Sequence, residues 1–273
     1  MNGSLPTGGD VDQATRARLA AMPNPVSGNR QTPAPDERSS ADHGIAGGRP
    51  HPTDALGLID EQLPSGLREP LRYMLGRLQV DPEAKIPGCL AVISALHGEG
   101  VTTISRTLAS LMANDLNTRV CWVDLSWSRS TRAQELSGPA GQSGLVDVLA
   151  GTAQLGNAVQ ATRDSRLSIL PAGNLTGPNV TRFARSPHLQ PVMEQLAQHF
   201  DHIVVDMPPI LAGSEGLGLM RLVDAYLLVV RYGVTTSQQI KTATDELSAV
   251  PSLGVVVNRF KTRIPRRLSH FFV

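Results

Sequence analysis

At 273 residues the chain is long enough for one large domain with an appendage, or for two small domains. Its Lys and Arg (25) nearly balance its Asp and Glu (24), and a net charge of +1 argues against a nucleic-acid partner. Only two cysteines occur, Cys89 and Cys121, both inside apolar runs, so a disulfide framework is excluded and a reducing, cytoplasmic setting is expected. The first 25 residues lack an apolar core of signal-peptide length, and no apolar run reaches the roughly 18 residues of a membrane span.

Residues 1–54 are dense in Gly, Pro, Ser and Asp without apolar periodicity, and such a segment cannot bury enough surface to offset its ordering entropy. It is expected to be disordered, with "TRARLAAM" as a transient helix at most. Residues 55–82 carry a weakly amphipathic helix and a linker, with Leu67, Leu71, Met74, Leu75 and Leu78 at helical spacing. Pro70 suits a first turn, which puts the helix start near Glu69.

From residue 83 to 260 apolar runs alternate with helical patterns. "CLAVISAL", "RVCWVDL", "LSILPAG", "HIVVDMPP", "AYLLVVRYG" and "LGVVVN" read as strands. "TTISRTLASLMAND", "SGLVDVLAG", "SPHLQPVMEQLAQHF" and "TSQQIKTATDELSAV" read as helices between them. The strands are nearly continuous Val, Ile and Leu, as strands covered on both faces should be. The expectation is an α/β fold with a doubly wound, mostly parallel sheet, in which ligands bind at the C-terminal strand ends. Residues 261–273 form a basic tail that closes on Phe271 and Phe272. Cations beside aromatics suit an anionic membrane surface, although a solvated end is the plainer reading.

The stretch "HGEGVTT" falls between the first strand and its helix. Glycine-rich backbone there can wrap an anion with successive N–H groups, and the helix dipole adds to the attraction. Gly98, Glu99, Gly100, Val101, Thr102 and Thr103 are the candidate phosphate contacts, with the Thr102 hydroxyl placed for Mg²⁺. Valine stands at 101 where a phosphate loop carries lysine, and loss of one such donor lowers a rate by roughly 10²–10³. Two strands end in acid, at Asp124 and Asp206, and such carboxylates are candidate catalytic groups and ligands of nucleotide-bound Mg²⁺. Asn258 ends the last strand as a candidate base contact.

With these blocks in order, the chain resembles the bacterial tyrosine-kinase family of polysaccharide export over residues 65–260. The blocks are "ISALHGEGVTTISRTLA", "VCWVDLSWSRS", "SGLVDVLAG", "LSILPAGN", "FDHIVVDMPPIL", "VDAYLLVVRYGVTT" and "LGVVVNRF". The resemblance implies a P-loop NTPase-like fold, ATP or ADP with Mg²⁺ as cofactor, and a membrane chain-length regulator (a polysaccharide co-polymerase) as partner. It further implies a place at the inner face of the cell membrane, with self-association through the helix bearing Glu69 and Arg72.

The chain departs from that pattern. His97 and Val101 replace the loop's Pro and Lys, Ser126 replaces a second Asp, and Leu75 replaces the second Arg of the oligomer motif. The tail has no tyrosine; the chain's three are Tyr73, Tyr226 and Tyr232. Arg106, Arg129 and Arg132 are candidate substitutes for the lysine, since a guanidinium can clamp phosphate. The first expectation is a kinase-like regulatory or scaffold protein with reduced or no kinase activity. The alternatives are an active tyrosine autokinase, or a positioning ATPase of the deviant-loop group, whose signature lysine is Leu96 here.

Overall fold

The structure, a computed structural model, describes Arg18, Ala21, Met22 and residues 65–81, 85–127, 143–173 and 180–260. The expectations for the remainder of residues 1–64, for Arg129 and Arg132, and for the tail 261–273 lie outside the described residues.

A helix α1 (Ser65–Val80) precedes β1 (Cys89–Ser94), α2 (Val101–Asp115) and β2 (Val120–Asp124). Short helices α3 (Leu145–Leu149) and α4 (Leu155–Ala158) lead to β3 (Gln160–Ala161) and β4 (Leu167–Leu170). Then come α5 (Val180–Ala184), α6 (Leu189–His199), β5 (His202–Asp206) and α7 (Glu215–Leu219), with a 3₁₀ turn at Met220–Leu222. β6 (Ala225–Arg231), α8 (Ser237–Glu246) and β7 (Ser252–Asn258) complete the series.

The seven strands run in the order β3-β4-β2-β5-β1-β6-β7. Every pairing is parallel except β3 with β4. This is the expected P-loop NTPase-like sheet. β3 was not expected, because two residues cannot display a period.

Alternate residues of each inner strand feed two separate cores. Ala91, Ile93, Val123, Val205 and Leu228 face one side. Leu90, Val92, Trp122, Val204 and Leu227 face the other, packed against Ile104, Leu108 and Met112 of α2. Burial on both faces is why these strands show no alternation. β7 departs from that pattern. It lies at the sheet edge and leaves Val255 and Val257 about half exposed, so only one of its faces is well covered. Met22 is buried in the core on the side away from α2.

α1 begins at Ser65, not near Glu69, and carries Pro70 inside it. Pro70 lacks the N–H that would bond back to Gly66, a loss the helix tolerates because Leu71 and Leu75 are buried against the α2 core. Arg72, expected at a contact between copies, is engaged within the chain. Its guanidinium bonds Asp115 at 2.7 Å and Glu69 at 3.0 Å. These partners are substantially exposed, so the apolar stripe is what holds α1 in place. Leu71→Ala should therefore destabilise the domain by about 2–5 kcal/mol, whereas Arg72→Ala should change stability by about 1 kcal/mol or less. Urea unfolding of the two variants measures both.

Candidate functional site

The crossover from β1 to β2 leaves a gap that β5 fills, so the ends of β1, β5 and β2 lie side by side. The loop of residues 95–100 rises from β1 at this point. Its Gly98 and Gly100 adopt φ of 75° and 102°, the left-handed region that favours glycine.

The loop is pinned from inside. Glu99 is almost fully buried, and its carboxylate accepts the backbone N–H of Leu96 at 2.9 Å and the hydroxyl of Thr235. Its carbonyl accepts the side-chain amide of Asn258 at 2.7 Å. The Asn258 carbonyl oxygen accepts the N–H of Arg259 at 2.8 Å. The residue expected to contact a base thus has one donor engaged in holding the loop and its acceptor engaged by its own neighbour. A Cβ on Gly100 would meet that same amide nitrogen at 2.1 Å. Glycine at 100 is therefore required twice, by its dihedral and by the neighbour. Thr235, just ahead of the capping box that Thr236 and Gln239 form at α8, was missed by sequence reasoning. Its position beside a helix start gave no sign that it reaches the loop.

Gly100 is the N-cap of α2, and Val101, Thr102 and Thr103 form its first turn. Val101 is buried among the residues that pack on α2. Where a lysine would reach a phosphate, this side chain joins the core.

Asp124 and Asp206 are register partners on adjacent strands, both facing α2 and both buried. The Leu125 N–H donates to the Asp206 carbonyl at 2.9 Å and locks the two strand ends together. Asp124 Oδ1 accepts the N–H and the hydroxyl of Ser126, at 2.9 and 2.8 Å. The serine that replaces a second acid is thereby tied to the first. Neither side-chain oxygen of Asp206 has a hydrogen-bond partner of good geometry. Burial pushes the Asp206 carboxyl well above the ordinary carboxylate range and the negative charge of Asp124 pushes the same way, while the nearby Thr102 hydroxyl and Arg106 oppose them in part. Asp124 is raised too, again by burial, with the Ser126 bonds and Arg106 opposing.

Arg106 lies one turn beyond Thr102 on α2. Its guanidinium carbon sits 4.6 Å from the centre of the Trp122 ring, and the indole N–H is fixed at 2.9 Å by the Ser105 hydroxyl. Of the three arginines named from the sequence, this is the one that the described residues place beside the aspartates.

The residues present fit a Mg²⁺–phosphate group. Thr102, Asp124 and Asp206 offer only oxygen, the donors Mg²⁺ takes through one or two carboxylates plus phosphate, and the unpartnered Asp206 oxygens suit a cation. Among the described residues no cluster of three or more His, Cys, Asp or Glu could hold a metal unaided.

An AAA domain family model matches residues 89–249, more than half of the chain. The chain belongs to this AAA domain family. It is homologous to bacterial tyrosine kinases. Tyrosine-protein kinase CpsD of Streptococcus agalactiae serotype III (strain NEM316) is 24% identical over 206 residues, which cover 75% of this chain and 88% of CpsD. The succinoglycan biosynthesis transport protein ExoP of Rhizobium meliloti (strain 1021) is 28% identical over 174 residues; the match takes in 62% of this chain and 22% of ExoP. Among solved structures, the VpsO kinase domain superposes with a TM-score of 0.62 at 26% identity, covering 72% of this chain and 94% of that domain. The septum site-determining protein MinD of Pyrococcus horikoshii OT3, solved with Mg-ADP, shares the fold at a TM-score of 0.51 and 24% identity, covering 67% of this chain and 76% of MinD.

Two substitutions test the site's construction. Gly100→Ala should lower stability by at least about 2 kcal/mol through the left-handed dihedral and the Asn258 contact, read from its urea midpoint. Asp206→Asn should raise the melting temperature of the nucleotide-free protein, by an amount that depends on pH. A carboxyl whose folded value lies above its unfolded one costs nothing when both states are protonated, below about pH 4. Stability then falls as pH rises from there toward the folded value, and the asparagine variant lacks that fall. Melting curves between pH 4 and 8 should therefore diverge, with the variant on top.

Proposed function

We propose that this chain is a kinase-like component of the machinery that makes and exports an extracellular polysaccharide. On this reading it holds a nucleotide on the β1–α2 loop with little or no transfer of phosphate to tyrosine. It works at the inner face of the cell membrane against a polysaccharide co-polymerase. Homology to CpsD and to ExoP, named for succinoglycan biosynthesis transport, supports the pathway. No described helix is long and apolar enough to cross a membrane.

The observation that carries the loss of activity is Val101, which is packed into the α2 core where a transfer enzyme places a cation. Ser126, hydrogen-bonded to Asp124, removes a second acid from the same site. What remains suits binding. The backbone amides of residues 98–103 and the start of α2 present N–H groups and a positive dipole end to a phosphate. Thr102, Asp124 and Asp206 are the residues that would hold Mg²⁺, which when bound supplies positive charge to the phosphate oxygens. Glu99, Thr235 and Asn258 keep the loop in shape, so little ordering is left for the ligand to impose.

Purified protein incubated with Mg-ATP should show no phosphotyrosine that an Asp206→Asn substitution removes. Loss of the gene should alter the amount or chain length of the extracellular polysaccharide. An Asp206-dependent phosphotyrosine signal would contradict the loss of activity, and unchanged polysaccharide would contradict the pathway.

A further inference from the structure

Tyr232 and Phe260 meet edge to face in the open. Their ring centres are 4.8 Å apart with 69° between the planes, and the two residues remain 51% and 65% exposed. Aromatic side chains stabilise a fold mainly by burying their rings, so a pair left in water is not explained by packing. Nor is it remote from the loop. Tyr232 lies in the turn after β6, where the N–H groups of Val234 and Thr235 donate to the Arg231 carbonyl at 3.1 and 3.0 Å. The Arg231 N–H donates to the Thr235 hydroxyl at 2.9 Å, and that hydroxyl donates to Glu99. Phe260 follows Asn258 by two residues, so its Cα lies within about 7.6 Å of the residue whose amide holds the Glu99 carbonyl. The Tyr232 N–H donates to the Asn258 carbonyl at 3.0 Å and ties the two turns together. Both rings therefore stand on backbone that is hydrogen-bonded, through Thr235 and Asn258, to the β1–α2 loop.

A nucleotide whose diphosphate rests on that loop extends its sugar and base away from it. Two rings in edge-to-face contact keep open faces, and an open aromatic face beside the loop is a surface on which a planar base can stack. Asn258, the residue placed to read a base edge, has one amide N–H held by the Glu99 carbonyl and its oxygen held by the Arg259 N–H. Discrimination between bases needs hydrogen bonds that the wrong base leaves unpaired. A stacking face accepts any base, and a two-ring purine offers it more area than a pyrimidine. We infer that Tyr232 and Phe260 form the base-stacking face of this site, and that it takes purine nucleoside diphosphates without choosing adenine over guanine. This rests on the reading that the loop holds phosphate, and adds to it where the base lies and which bases are accepted.

Calorimetric titration of the full chain in Mg²⁺ with ADP, GDP, CDP and inorganic pyrophosphate tests this. ADP and GDP should bind within about fivefold of each other, and each at least about fivefold more tightly than CDP. Tyr232→Ala and Phe260→Ala should each weaken ADP and GDP by about fivefold or more and leave the affinity for pyrophosphate unchanged, a split that damage to the loop would not produce. Tyr232→Leu and Phe260→Leu keep an apolar side chain but remove the ring face; they should show the same split and cover the case in which an alanine variant does not fold. Variants that fold and bind ADP like the natural protein overturn the inference, as does a preference for one purine beyond about fivefold. Pyrophosphate bound as tightly as ADP also overturns it and leaves the phosphate site standing. No binding of pyrophosphate or of any nucleotide overturns both.

Discussion

Glu99 is the most deeply buried charged side chain of the loop that follows β1, and its carboxylate is committed to the Leu96 N–H and the Thr235 hydroxyl. Burying a carboxylate is costly unless its oxygens are hydrogen-bonded, and here meeting that need fixes the loop. Asn258 grips the same residue from the end of β7, and Gly100 leaves the room it needs. Three distant parts of the chain, the β1–α2 loop, the turn before α8 and the last strand, are thereby closed on one another. The backbone N–H groups ahead of α2 are set by this closure.

The same construction separates shape from chemistry. The phosphate-loop shape depends on the Glu99 and Asn258 hydrogen bonds and on the left-handed dihedrals of Gly98 and Gly100. On the proposed reading transfer chemistry needs a cation and a second acid, and these positions hold Val101 and Ser126. A side chain that packs, as Val101 does, stabilises the start of α2 while removing a charge from the site. Asp206 runs the other way, since a buried carboxylate without a good partner weakens the empty fold and is retained at sites that act on a ligand. The chain therefore holds the destabilising element of the site with valine, not lysine, at 101.

Much of this was legible in the sequence. The inner strands gave themselves away as unbroken apolar runs because both faces are covered, and the two strand-end acids fell where parallel-sheet geometry brings them together. The loop was readable from its glycines. The start of α1 was not, because Pro70 signals a helix start, while burial of Leu71 and Leu75 against α2 is a tertiary effect that no local rule contains. β7 reads as a buried strand from its valines, but edge position is a property of strand order. The work of Glu99 and Thr235 was hidden for a similar reason, since they lie 136 positions apart in the chain. Arg106 was nameable as one arginine among three, and only its place over Trp122 and beside two aspartates set it apart.

On the proposed reading the amides of residues 98–103 form a ready-made phosphate cradle. Its most direct test is the backbone amide spectrum of the isotopically labelled protein, followed as ADP is added. The largest shifts are expected at Gly98, Gly100, Val101, Thr102 and Thr103, with the Glu99 and Asn258 contacts kept and little change on the far side of the sheet. Absence of shifts at saturating ADP, or shifts concentrated away from the β1–α2 loop, would show that the cradle has kept its form without its ligand.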